Sequence, residues 1–296
     1  MTARTSGQAD PALSTADLVG RVLAWGVPRM RDLPWRQSRD PWGILVAEVM
    51  AQQTQVDRVV QRWAAFLERF PTPASCAAAP LGDVLREWQG LGYPRRARHL
   101  HDTATRVVEL GAFPSTLDGL LSLPGVGQYT ARAVLAFAFE SPAAVVDTNI
   151  ARVLARTTGE RLTARRAQAL ADELCPPEES WVWNQVIMDL GALLCRPTPR
   201  CNECPIQQQC VWAVAGRPDP DPAIGTAGVS GKQARFEGSD RQARGRLMAR
   251  LAEGSLPSQD AAAVMQVDGT RAERLVEALV AERLVVHAAG DTLQLP

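Results

Sequence analysis

The residues best suited to chemistry fall in three places. The first is Ser122 to Arg156, where Pro124-Gly125-Val126-Gly127 forms a tight turn running straight into apolar, helix-forming sequence. Gly125 and Gly127 allow left-handed backbone and keep side chains off the approach, so the free N–H groups of the turn and of the helix start can point at an anion. A plain αα-turn that needs glycine is the alternative. Asp147 lies twenty residues beyond Gly127, after the apolar run Ala143–Val146 and before Thr148 and Asn149. As a helix N-cap it would satisfy backbone donors. In a partly dry site the same carboxylate, held ionised, can stabilise a developing positive charge or deprotonate a water. The second place is Glu48 in the apolar segment Trp42–Met50, followed by the polar block Gln52, Gln53, Thr54. Burial there would raise the carboxyl pKa toward the range of a general acid, whereas a place on the wet face of the helix would leave it inert. The third is Cys195, Cys201, Cys204 and Cys210, spaced Cys-x5-Cys-x2-Cys-x5-Cys. Four thiolates so close together indicate a metal, and the spacing leaves zinc and [4Fe–4S] both open. Arg196 and Arg200 in that loop are either solvated or phosphate contacts.

The elements that must hold these groups are helices. After a stretch 1–13 expected to be disordered, Leu18, Val22, Leu23, Trp25 and Val27 mark a first helix. Asp40 and Pro41 read as N-cap and first residue of the helix that carries Glu48. Helical spacing of apolar residues continues over 55–70, 81–88, 94–110, 117–121, 128–140, 148–158, 163–174 and 179–194. Prolines 71, 73 and 80 punctuate short pieces. Strand alternation is nearly absent before residue 283, so residues 14–215 are expected to be all-α with short loops. Leu120, Leu121 and Leu123 ahead of the glycine turn then complete a helix-hairpin-helix pattern, which grips DNA phosphate through backbone atoms and reads no base. Residues 216–238, rich in Pro, Gly, Asp and Ala, read as a linker. Three short helices and a terminal hairpin over 239–296 suggest a small winged-helix-like module.

Composition narrows the classes. The 296-residue chain has 32 basic and 32 acidic residues, so it has no global basic field and is not a generic DNA coater. A single lysine, Lys232, leaves almost no candidate for a Schiff-base mechanism. The first twenty residues lack a signal-peptide core, and no run is long enough to span a membrane. A cytoplasmic protein is expected, nucleoid-associated if bacterial. Clustered cysteines in that setting favour a metal over disulfides. Isolated Cys76 and Cys175 read as ordinary small residues, and His99 and His101 point to different sides of a helix.

The segments LPWRQSRDPW, AEVMAQQTQV, WQGLGY, LPGVGQYTA, VVDTNIARVLAR, NQVIMDLGALLC and the four cysteines occur in the order found in helix-hairpin-helix DNA glycosylases with an iron–sulfur cluster. Across Leu18 to Trp212 the chain resembles the MutY-type adenine glycosylases within that group. The resemblance implies an all-α, two-lobed enzyme on the endonuclease III-like fold, with DNA across its cleft. It would act as a monomer on double-stranded DNA, removing adenine mispaired with 8-oxoguanine or guanine. It implies Glu48 as the acid that protonates adenine, Asp147 as the carboxylate that stabilises the oxocarbenium-like sugar, and Asn149 as a polar helper. Tyr129 stands where lyase-competent relatives carry a catalytic lysine, which implies a monofunctional enzyme. By the same resemblance Gln53 and Tyr93 wedge into the duplex, and Trp35, Arg36 and Gln185 surround the adenine pocket, with Gln52 beside Gln53. Leu123, Gly125, Val126 and Gly127 form the phosphate grip, and Cys195, Cys201, Cys204 and Cys210 hold a [4Fe–4S] cluster. For Trp35 a place in the core competes with the pocket role.

Three features depart from the family. Five residues rather than six separate the first two cluster cysteines, which tightens the loop. Pro94 follows Tyr93 where a second tyrosine is common. The residues after Gly216 are too few and too helical for the Nudix-like domain that senses oxidised guanine in this family. The expectation is a weaker preference for 8-oxoguanine, or one read by Tyr93 and its neighbours. A pyrimidine-lesion glycosylase/lyase of the same fold, and a non-catalytic iron–sulfur DNA-binding protein, are the rival readings. Tyr129 opposes the first, and the joint presence of Glu48 and Asp147 opposes the second.

Overall fold

In a computed structural model the protein is described over residues 15–229 and 235–296; the stretch 1–13 and Lys232, both read above from sequence, lie outside these residues. The helices are α1 Thr15–Gly26, α2 Pro41–Ala51, α3 Val56–Arg69, α4 Pro73–Ala78, α5 Leu81–Glu87, α6 Arg95–Leu110, α7 Leu117–Leu121 and α8 Gln128–Ala138. They continue with α9 Thr148–Thr158, α10 Ala164–Leu174, α11 Ser180–Leu193, α12 Val211–Val214, α13 Asp240–Glu253, α14 Ala261–Met265 and α15 Gly269–Ala281. Strands β1 Leu256–Pro257, β2 Val286–Ala288 and β3 Thr292–Gln294 form an antiparallel sheet in the order β1-β3-β2. Among the described residues no helix is long and apolar enough to cross a membrane. The described residues divide into two compact units, 15–32 with 140–229 and 33–139 with 235–296.

In the unit of 33–139 and 235–296, α2 is the central helix. The Asp40 side chain accepts from the Trp42 and Gly43 N–H groups, and Pro41 opens the helix as expected. From Trp42 to Met50 every residue is buried, because α3, α6 and α8 all pack on α2. Two indoles lock α2 in place, with Trp42 Nε1 donating to the Phe70 carbonyl at 2.9 Å and Trp63 Nε1 donating to the Gly43 carbonyl at 2.7 Å. A short helix, α4, stands where the prolines read only as breaks; Thr72 and Ser75 form a reciprocal capping box that starts it at Pro73. Three helices and a hairpin follow residue 239, and β1 joins them as a third strand. This C-terminal portion buries Leu247, Leu251, Met265, Leu279, Leu284 and Leu293. It is fastened to α5 by the Gly82 N–H, which donates to the Pro296 carbonyl at 2.7 Å.

In the unit of 15–32 and 140–229, α9 and α11 pack together around Ile150, Val153, Trp183 and Leu190. The buried Asp189 of α11 accepts from Arg31 Nε at 2.6 Å and from its backbone N–H at 3.0 Å. The start of the segment read as a linker lies against this unit. Asp221 accepts from Arg156 Nη2 at 2.6 Å, and the Ala227 N–H donates to the Leu162 carbonyl at 2.9 Å.

Candidate active site

Glu48 and Tyr129 come together although 81 positions separate them. Glu48 sits on the inner face of α2 with 6% of its surface exposed, and the Tyr129 hydroxyl donates to its Oε2 at 2.7 Å. Tyr129 is on the first turn of α8, so the hairpin that aims α8 also aims this hydroxyl. Nearby, Gln52 Nε2 donates to Thr130 Oγ1 at 3.4 Å. Trp35 is half-buried and packs edge-on against Trp63 with ring centroids 6.1 Å apart, so it has a packing role whatever else it touches. Arg36 is buried beside it in the short helical turn Pro34–Gln37.

The hairpin joins α7 to α8 through Leu123 and Val126, both buried. The Val126 N–H donates to the Leu123 carbonyl at 3.2 Å, and Thr103 Oγ1 pins the turn by donating to the Pro124 carbonyl at 2.6 Å. Gly125 has φ +73°, and a Cβ there would lie 2.6 Å from the His99 Cβ. Gly127 has ordinary extended backbone, and a Cβ there would meet nothing within 4 Å. No side chain caps the start of α8, and an uncapped helix start of this kind can receive an anion. A test separates the two glycines. Gly125→Val strains the turn and lowers the melting temperature. Gly127→Val, open to space but at the N-cap of α8, is expected to lower melting less and to weaken duplex binding if a phosphate approaches this helix start. Melting and anisotropy titration read the two effects.

Arg96 is a positioning residue that sequence reasoning missed. Its guanidinium donates to the carbonyls of Val49, Met50 and Gln52 at the end of α2, and to those of Leu91 and Gly92. Burial lowers its pKa to about 10, with the neighbouring Tyr93 acting in the opposite sense. Gln53 (φ +54°) and Tyr93 (φ +49°), the two expected wedges, both have left-handed backbone on the loops that Arg96 ties together. Nothing in PRRARH distinguishes this arginine from its neighbours.

In the other unit Asp147 is the N-cap of α9, as read from sequence. Its Oδ1 accepts from the Asn149 and Ile150 N–H groups at 2.9 and 2.7 Å, and its Oδ2 accepts from Asn149 Nδ2 at 2.8 Å. Burial pushes its carboxyl above the ordinary value, and these donors together with the Arg152 charge only partly offset that. Asn184 of α11, another residue missed, fixes the run leading to Asp147. It donates to the Ala143 carbonyl at 2.8 Å and accepts from the Val145 N–H at 3.0 Å. Gln185 is buried next to it.

Arg152 links this capping group to the cysteine loop. Its Nη2 donates to Asn149 Oδ1 and to the Gly191 carbonyl, each at 2.8 Å, while Nε donates to the Cys195 carbonyl. Arg156 donates to Cys195 Sγ at 3.4 Å and lies over the Trp212 ring at 4.7 Å. Cys195, Cys201, Cys204 and Cys210 line one cavity, with Val153, Leu190, Ile206 and Trp212 among its walls. Among the described residues no three His, Cys, Asp or Glu side chains converge on a single-ion site. Arg196 and Arg200 are exposed on the same loop. Outside it, burial raises the Cys76 thiol to about 12 and the Cys175 thiol to about 11, so both are poor nucleophiles.

This fold and this arrangement define a helix-hairpin-helix glycosylase of DNA repair. Residues 46–177 match the HhH-GPD superfamily of base excision DNA repair proteins. A thermostable thymine-DNA glycosylase superposes with TM-score 0.65 at 29% identity, covering 68% of this chain and 97% of the other. Endonuclease III in a trapped covalent DNA complex superposes with TM-score 0.61 at 25% identity, covering 70% of this chain and all of the other. The adenine DNA glycosylase of Mycobacterium tuberculosis is 39% identical over 93% of this chain and 92% of its own length. The human adenine DNA glycosylase is 38% identical, over 64% of this chain and 38% of its own. The chain belongs to the adenine DNA glycosylase family.

Proposed function

We propose that this enzyme flips adenine out of double-stranded DNA and hydrolyses its N-glycosidic bond where the adenine lies opposite 8-oxoguanine or guanine. The observation that carries this reading is the buried Glu48 carboxyl held by the Tyr129 hydroxyl at 2.7 Å. Adenine leaves poorly as an anion. A carboxylic acid in a dry site, oriented by a neighbouring hydroxyl, can deliver its proton to the adenine ring. The C1′–N9 bond then breaks, its electron pair stays with the base, and positive charge grows on the sugar. Asp147, oriented by Asn149, stabilises that charge as the carboxylate. Water adds at C1′ and its proton passes to Glu48, which restores the acid. Trp35, Arg36 and Gln185 shape the adenine pocket, while Gln53 and Tyr93 fill the stack the base has left, with Gln52 beside them. The hairpin of Leu123, Gly125, Val126 and Gly127 grips the phosphate backbone. In this reading residues 14–215 form the catalytic region and 239–296 a small C-terminal module. The enzyme acts as a monomer, in the cytoplasm.

We assign Cys195, Cys201, Cys204 and Cys210 to a [4Fe–4S] cluster. A single zinc needs four thiolates about 2.3 Å from one point, whereas thiols lining the wall of a cavity suit a larger group. When bound, the cluster ties down the loop and supplies a redox-active centre. Arg156, which donates to Cys195 Sγ at 3.4 Å, would offset thiolate charge. Purified protein is expected to be brown, with iron and acid-labile sulfide in equal amounts. Zinc in their place overturns the assignment.

The deciding assay is incubation with an A:8-oxoG duplex. Alkali is expected to reveal abasic sites after free adenine is released, and borohydride to trap no covalent complex. Trapping on an oxidised-pyrimidine duplex would favour the lyase reading instead.

A further inference from the structure

Tyr93 is held by more than its own loop. Its backbone is left-handed at φ +49° directly after Gly92 at φ +72°, a conformation a tyrosine keeps only when its surroundings impose it. Arg96 fixes the loop from below by donating to the Leu91 and Gly92 carbonyls, and its guanidinium lies 5.5 Å from the centre of the Tyr93 ring. Trp88 Nε1 adds a third tie to the Gly92 carbonyl at 3.1 Å. The ring's far end belongs to another part of the chain. Arg241, on the first turn of α13 and 148 positions away, donates from Nη1 to the Tyr93 hydroxyl at 3.0 Å. The Arg241 guanidinium in turn lies over the Phe236 ring, 5.2 Å from its centre, and Phe236 is 53% exposed. Phe236, Arg241 and Tyr93 therefore form a continuous run of planar groups across the surface.

We propose that Arg241, from the first turn of α13, is a positioning residue that pre-orients Tyr93 for duplex wedging. The argument rests on the reading of Tyr93 as a wedge. An aromatic side chain that replaces a lost stacking partner must hold one orientation against the restoring force of the duplex. A surface tyrosine anchored only at its Cα would spend much of its time elsewhere. A hydrogen bond at the hydroxyl and a cation beneath the ring remove that freedom before DNA arrives, and pre-organisation of this kind improves affinity without a new contact. Arg241 is itself held by stacking on Phe236, which shields one face of the guanidinium. The gain applies only to duplexes into which Tyr93 inserts. It therefore falls on mispaired DNA, which opens cheaply, more than on matched DNA.

The test uses the full chain and duplexes with a non-cleavable 2′-fluoro-adenosine opposite guanine or thymine. 2-Aminopurine next to the opposing base reports unstacking by fluorescence, and anisotropy gives affinity. Tyr93→Ala is expected to abolish the fluorescence rise. Arg241→Met is expected to reduce it and to cut the preference for A:G over A:T about tenfold, the worth of one charge-assisted hydrogen bond. Arg241→Lys should restore part of the preference. Phe236→Leu, on an exposed site that the core does not need, should give a smaller loss of the same kind at unchanged melting temperature. Equal weakening on A:G and A:T in Arg241→Met would show general phosphate attraction and overturn the proposal. So would full wedging in Arg241→Met when Tyr93→Ala has lost it, an outcome that leaves the wedge itself intact. If Tyr93→Ala wedges normally, both the wedge and the role of Arg241 fall. Binding to a non-cleavable strand makes these outcomes independent of whether adenine is excised.

Discussion

A Glu48→Gln variant is expected to release adenine from an A:8-oxoG duplex at least about a thousandfold more slowly in single turnover. Glutamine keeps the volume of the side chain, and its amide oxygen can still accept from the Tyr129 hydroxyl, which now donates to Glu48 at 2.7 Å. The fold and duplex affinity should therefore survive, which melting and anisotropy check. What glutamine lacks is a carboxylic proton, and adenine then has to leave as an anion. Tyr129→Phe gives a graded comparison. It removes the donor and leaves the acid, so the expected loss is about ten- to a hundredfold, the worth of one hydrogen bond to an ionisable group. Undiminished release by Glu48→Gln would refute the acid role. Equal losses in the two variants would mean that the pair works only as a structural contact.

Much of this arrangement is legible in the sequence, and the legible parts are the local ones. The helix expected over 148–158 is α9, with the same ends, because Asp147 at its start and Gly159 after its end are both signals within a few positions. The Asp40-Pro41 start of α2 is legible for the same reason. The missed features depend on partners far away in sequence. Arg96 is one arginine among several, and its importance comes from carbonyls more than forty positions upstream. Asn184, rather than the neighbouring Gln185, holds the run before Asp147, a choice made by which face of α11 turns inward. Asp221 sits in sequence as loose as any linker, and the buried Arg156 gives it a place. Strand β1 is two residues ending in proline, too short for a period-two pattern.

The same long-range logic explains why α9 carries so much. One helix presents Asp147 and Asn149 at its start, then Arg152 and Arg156 on the turns behind them. Arg152 donates both to Asn149, which orients Asp147, and to the Cys195 carbonyl in the cysteine loop. A disturbance of the loop can therefore reach the carboxylate through two side chains, Arg152 and then Asn149.

The consequences meet in Asp147→Asn, for which catalysis and stability are expected to move in opposite directions. Asparagine is as good an N-cap as aspartate and keeps the side-chain shape; it forfeits one bond, since its amide nitrogen cannot accept from Asn149 Nδ2 as Asp147 Oδ2 does. Without the negative charge the sugar cation loses its partner, and the single-turnover rate should fall by about a hundred- to a thousandfold. Stability should rise. Burial puts the Asp147 pKa above the ordinary aspartate value, so the folded state binds this proton more tightly than the unfolded chain. Its contribution favours folding below the ordinary carboxylate pKa and is lost as pH rises through the folded value, so at neutral pH the ionised side chain works against folding. The asparagine side chain carries no such charge, and the variant should melt above the wild type at neutral pH, with the gap closing as the pH is lowered. The same sign governs the rate. Asp147 must be ionised to act, so wild-type turnover should fall on the acid side at a pH above the ordinary aspartate value. Asn149→Ala removes a donor that favours the charged form, which raises the pKa further and moves that limb to higher pH. Melting curves and single-turnover rates across pH measure both effects. A lower melting temperature for Asp147→Asn at neutral pH, or an acid limb that Asn149→Ala leaves in place, would count against a carboxylate kept ionised at the expense of the fold.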